Sequence, residues 1–167
     1  MKIQDIEGRL AEEPEVVSLG ELLARVATPG RTTWRDLPTS PGIYVVSLPA
    51  WGARSFNARA GQAQHAATVD PRILIDKRNR ILAGGPTDIL YIGKAGNLRK
   101  RVRQLVRFGV GRANNHHGGE WLWQLEGIRE AQLWMWSCPG ERPESLERRL
   151  LEEFRAGHGE LSLANRI

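Results

Sequence analysis

Residues 88–107, DILYIGKAGNLRKRVRQLVR, decide how the remainder of the chain is read. Residues 88–92 are β-branched and aromatic, the composition of a short strand, and Gly93 punctuates it just before Lys94. Gly96 and Asn97 then make a turn. From Leu98 onward Val102, Leu105 and Val106 follow at helical spacing, forming one apolar stripe that a sheet or a second helix must cover. Lys100, Arg103 and Arg107 point away from the stripe as a solvated basic face. Arg101 falls at its border beside Leu105, where a long side chain buries its stem and aims its guanidinium along the sheet. Periodicity alone leaves open whether Arg101 serves a site or is one more surface charge.

The same stretch fails the test for a phosphate-binding loop. That motif needs a glycine five residues before Gly93 and a hydroxyl residue after the lysine, whereas this chain has Asp88 and Ala95 there. A nucleoside-triphosphatase is therefore excluded.

Working upstream, residues 42–48, GIYVVSL, are a second strand, reached through the turn-rich residues 34–41. Ser18 and Glu21 form a capping box ahead of Leu19, Leu22, Leu23 and Val26, which predicts an amphipathic helix over 18–27 in an N-terminal helical arm, residues 1–37. Between the two strands, residues 49–71 carry few large apolar side chains and read as a mobile insertion, with His65 solvated inside it. Residues 72–82, with ILI and IL flanking a polar DKRN, are expected to form a hairpin, so the whole insertion runs over about 49–87.

Downstream, His116 and His117 are adjacent and point in different directions, a poor pair of metal ligands, although one of them near a phosphate is consistent with the pattern. Residues 121–125 suggest a short helix. Residues 131–137 suggest a strand with Leu133 and Met135 on one face and Trp134 and Trp136 on the other. Tryptophans this frequent either stack bases or, more commonly, fill the core. Pro143 and the stripe Leu146, Leu150, Leu151, Phe154 mark a helix over 143–156. Glu147 falls inside that stripe, while Glu144, Glu152 and Glu153 lie outside it. A carboxylate so placed requires an arginine, a metal or an open pocket, and an ion pair with Arg101 is one reading of it.

Composition bounds the partners. The 167 residues suit one domain with an appendage, and a net charge of +5 suggests a polyanionic partner, nucleic acid first. The positive charge is nearly all arginine, since the lysines are Lys2, Lys77, Lys94 and Lys100. The lone Cys138 excludes an intramolecular disulfide and a cysteine metal cluster. No apolar run reaches membrane-spanning length and the start is no signal peptide, so a cytoplasmic protein is expected.

Taken together and in order, Gly42-Ile43-Tyr44, Tyr91-Ile92-Gly93, the run from Lys94 through Arg101 to Val102, and the late helical Glu147 resemble the GIY-YIG endonuclease superfamily. Tyr44 and Tyr91 are the chain's only tyrosines. The resemblance spans residues 38–167 and implies a small α/β domain: a three-stranded antiparallel sheet flanked by helices, here with the arm and the insertion added. It implies hydrolysis of phosphodiester bonds in DNA with one Mg2+ or Mn2+ held by Glu147, and no small-molecule cofactor. Tyr44 and Tyr91 would lie at the site on adjacent strands, with either as the base, its pKa lowered by Lys94 or the metal. Lys94 and Arg101 would face the phosphate, His117 would match a variable family histidine, and Asn165 an asparagine that follows the glutamate helix. Arg99, Lys100, Arg103, Arg107 and Asn165 are the residues expected to meet nucleic acid. Two departures are evident: the link between the tripeptides is long, and Leu105 stands where some members carry a histidine. A non-catalytic nucleic-acid-binding module on the same fold is the alternative.

Overall fold

The computed structural model describes residues 1–27, 34–57, 69–111 and 117–166, with no side-chain description at 27, 117 and 118. In chain order the helices and strands are α1 (Ile3–Glu7), β1 (Glu15–Ser18), α2 (Leu19–Ala27), β2 (Gly42–Ser47), α3 (Pro71–Ala83), β3 (Ile89–Ala95), α4 (Leu98–Gly109), β4 (Gln132–Ser137) and α5 (Pro143–His158). Short 3-10 turns cover Trp51–Ala53, His117–Gln124 and Ile128–Glu130.

The sheet is antiparallel with four strands, in the order β1-β4-β2-β3. Three strands were expected. The fourth is β1, from the N-terminal arm, whose Val17 pairs with Leu133 and is buried, while Val16 stays exposed. Four residues with one inward apolar side chain give almost no periodic signal, so only the partner strand identifies β1. The expected helix follows directly as α2, its start capped by the Ser18 hydroxyl, which accepts from Glu21 N–H at 3.1 Å.

Two glycines explain how closely the central elements approach. A Cβ on Gly42 would stand 2.0 Å from the Trp136 carbonyl oxygen and 2.8 Å from a Leu98 methyl. One on Gly93 would stand 2.6 Å from the Tyr44 ring and 2.8 Å from the Tyr91 ring. Each tripeptide glycine is thus a place where a side chain is sterically excluded.

Helix α4 forms as its stripe requires. Asn97 caps it, accepting from Lys100 N–H at 2.9 Å, and Leu98, Val102, Leu105 and Val106 are fully buried. Helix α5 begins at Pro143 and closes on Gly159, whose φ of +69° terminates it in the left-handed region.

The expected hairpin over 72–82 is instead helix α3. Asp70 caps it, accepting from Arg72 N–H at 2.9 Å, Pro71 occupies the first turn, and Leu74, Lys77 and Ile81 turn inward. The inward set is separated by three and four residues, a helical spacing disguised because its middle member is a lysine. Lys77 is buried and donates to the Asn165 carbonyl at 2.6 Å, and burial lowers its pKa to about 8.

The insertion is likewise less empty than its composition suggests. Trp51 is fully buried, and Phe56 forms an isolated bridge with Leu125. Residues 58–68, and with them His65, lie outside the described residues. Gln124 grips both flanks of that segment: its side-chain amide donates to Asn57 O at 3.0 Å and Val69 O at 2.8 Å and accepts from Val69 N–H at 3.1 Å. Of the six tryptophans, Trp34, Trp51, Trp123 and Trp136 are buried, so most of them are core. No helix among the described residues is long and apolar enough to cross a membrane.

Candidate active site

The site forms at the rim of the sheet where β3 is the edge strand. Tyr44 pairs across the ladder with Gly93, and Tyr91 lies two residues earlier on the same strand, so both phenols project from one face. Their rings are 5.6 Å apart, and the Tyr44 hydroxyl donates to the Tyr91 hydroxyl at 3.4 Å. Lys94 is out of phase with Tyr91 along the strand. It nevertheless lines the same cavity as Tyr91.

Tyr91, Lys94, Arg101 and Glu147 line one cavity of about 560 Å³, together with Lys100, Gln104 and Glu144. Four of the five residues expected to form the core of the site therefore meet at one solvent-connected space, and Tyr44 lies directly behind Tyr91. The Arg101 guanidinium faces both phenol oxygens, where its charge and its N–H donors favour the phenolate. Its Nη1 also donates to Gln104 Oε1 at 3.3 Å, one turn along α4.

Glu147 does not pair with Arg101. Its Oε2 lies 3.0 Å from Lys94 Nζ, with the glutamate side chain 19% exposed and the lysine 42% exposed. The ion pair is at the surface of the cavity rather than within the core.

Burial governs the tyrosines. Tyr44 is fully buried and its pKa is pushed well above its ordinary value, first by desolvation and then by the neighbouring phenol. Tyr91 is also raised by burial, but the hydrogen bond it accepts from Tyr44 and the Arg101 charge oppose that rise. Burial therefore sets the Tyr91 acidity first, with Tyr44 and Arg101 lowering the pKa and the Glu147 charge raising it.

Other expected contacts fall elsewhere. Arg99 donates to the carbonyl oxygens of Leu37 at 2.6 Å and Arg35 at 2.6 Å, which ties α4 to the residues leading into β2. Asn165 is buried and holds the free edge of β3, accepting from Ile92 N–H at 2.9 Å and donating to Ile92 O at 2.8 Å. Both side chains therefore tie parts of the fold together. Lys100, Arg103 and Arg107 are exposed on α4 as expected, with Arg103 lying over the Trp34 ring at 5.8 Å. The His117 side chain, like residues 112–116, lies outside the described residues.

Sequence reasoning missed Gln104 and Glu144. Each stands three residues along a helix from a residue already singled out, Arg101 and Glu147, and that spacing is the signal that would have found them. No group of three or more histidine, cysteine or carboxylate side chains among the described residues forms a metal cage. A hydrated magnesium needs no cage: it is commonly held by one or two carboxylates and keeps most of its waters. Glu147, with Glu144 on the same open cavity, fits that demand.

Compared with protein-family models, curated proteins and solved structures, the chain matches none.

Proposed function

We propose that this protein is a metal-dependent endonuclease that hydrolyses phosphodiester bonds in DNA, a GIY-YIG-type enzyme. The observation that carries this reading is the convergence of Tyr91, Lys94, Arg101 and Glu147 on a single cavity, with Tyr44 hydrogen-bonded behind Tyr91. Residues 91 and 147 are far apart in sequence, and a purely structural set has no reason to meet at an open cavity.

Each residue then has a task that hydrolysis requires. Arg101 presents a planar pair of donors to the phosphoryl oxygens, and its hydrogen bond to Gln104 fixes the orientation of that plane. Tyr91 orients the attacking water and accepts its proton. The form that accepts it is the phenolate, which becomes the neutral phenol as the water attacks; burial raises the Tyr91 pKa and keeps that form a minor population at neutral pH. Tyr44 donates to the Tyr91 oxygen and so favours the phenolate form that acts as the base. Lys94 adds positive charge at the cavity wall. Glu147, assisted by Glu144, would hold Mg2+ or Mn2+, which when bound supplies Lewis-acid stabilisation of the leaving oxygen.

The Lys94–Glu147 contact at 3.0 Å favours a second reading, a nucleic-acid-binding module without catalysis, because a paired carboxylate already has its counter-charge. Incubation with plasmid, single-stranded and branched DNA, with and without magnesium, separates the two. Cleavage that requires the metal and disappears in Glu147→Gln supports the enzyme. Binding with no cleavage of any substrate supports the module.

A further inference from the structure

We infer that Lys94 is a placeholder cation, one that occupies the Glu147 carboxylate until a phosphodiester draws it away, so that divalent metal is taken up together with nucleic acid. The inference rests on the nuclease reading for its biological purpose, but its physical core is the ion pair itself.

The Lys94 ammonium sits 3.0 Å from Oε2 of Glu147, one of the two oxygens this carboxylate has for a metal. An ammonium and a divalent cation cannot share that oxygen, because like charges at such a distance repel strongly. The two partners differ in freedom: Lys94 is 42% exposed on a flexible four-carbon stem, whereas Glu147 is 19% exposed and set in the apolar face of α5. The lysine is therefore the partner that moves. It also stands at a boundary, since Lys94, Glu144 and Glu147 line both the site cavity and a second one of about 450 Å³ along α5. A phosphate entering the first cavity beside Arg101 offers the ammonium a new anion within reach. Glu147 then takes the metal more readily when substrate is present.

The test reads metal binding rather than turnover. Free Mn2+ is titrated by electron paramagnetic resonance against wild type, Lys94→Met, Lys100→Met and Lys94→Met/Glu147→Gln, all without nucleic acid. Lys94→Met is expected to bind Mn2+ about tenfold more tightly than wild type, the scale of an exposed ion pair plus the repulsion removed with it. The double variant is expected to lose that gain. Lys100 lines the same cavity, so Lys100→Met measures the general field. Equal Mn2+ affinity in wild type and Lys94→Met would overturn the placeholder, as would an equal gain in Lys100→Met. A wild type that cleaves no nucleic acid, alongside a Lys94→Met that still gains affinity, would remove the nuclease reading and leave the placeholder standing.

Discussion

Tyr44 donates its hydroxyl proton to Tyr91 across 3.4 Å, and that direction distinguishes two residues that look equivalent in sequence. Only Tyr91 of the pair lines the cavity, and its oxygen accepts the Tyr44 hydroxyl proton from behind. Tyr91→Phe is expected to reduce cleavage by about 10³-fold, the scale of losing a general base. Tyr44→Phe removes a hydrogen bond that favours the phenolate and should cost only about 10-fold to 100-fold. The phenol is raised above its ordinary value of 10.0, and its basic form is the phenolate. Activity should therefore climb with pH at roughly unit logarithmic slope and show no plateau below about pH 10. A pH profile of kcat/KM checks this, and a plateau at neutral pH would remove the tyrosine from the base role.

Arg101→Lys is expected to lose about 10²-fold in rate, as when one oriented donor to a reacting oxygen is removed. Charge is retained but the two-donor plane that Gln104 orients is not. Arg103→Lys keeps a cation over Trp34 on the exposed face and should change the rate little. Equal losses in the two variants would mean that α4 acts as an undifferentiated basic surface.

Glu147→Gln is expected to abolish cleavage while leaving folding and nucleic-acid binding in place. The lost ion pair is partly exposed, so its removal should cost less than about 1 kcal/mol in urea unfolding. Binding should hold or tighten slightly, since one carboxylate fewer repels the phosphates. Normal cleavage by this variant in magnesium would show that metal, if used, is held elsewhere.

Asn165→Ala should behave in the opposite manner. Its side chain satisfies both backbone groups of Ile92 at the buried edge of β3, and truncation leaves them unpaired, a loss of about 3 kcal/mol. Chemical denaturation reads the loss directly. Nucleic-acid affinity of the folded fraction should not change; a weakened affinity at unchanged stability would place Asn165 at the interface after all.

Gln124 and the segment 58–68 give a matched pair of tests. Replacing 58–68 by a short Gly-Ser link should shift stability by less than about 1 kcal/mol, because loop length enters only logarithmically and Gln124 still holds Asn57 and Val69. We expect the replacement to alter which nucleic acids are cleaved and to spare metal-dependent hydrolysis. Gln124→Ala strands the Val69 N–H and carbonyl and should cost about 3 kcal/mol. Collapse of the shortened protein with Gln124 intact would show that 58–68 is structural.

The sequence by itself determined those elements in which periodicity and a cap agree. The stripe of α4 behind Asn97, the stripe of α5 behind Pro143, and the β-branched runs of β2 and β3 all follow from local spacing, and Arg101 was placed correctly at a helix border. Local rules also contained α3, in the Asp70-Pro71 start, but Lys77 at an inward position concealed its period. Its burial is decided by the Asn165 carbonyl, which the tail brings to it from the far end of the chain. Tertiary structure alone decided the rest. The strand β1 exists because β4 offers it an edge, Asn165 is structural because β3 has a free edge to satisfy, and Glu147 meets Lys94 rather than Arg101 because α5 packs along β3. Each of these is a contact between residues distant in sequence, and spacing along one element carries no information about which partner a neighbouring element will present.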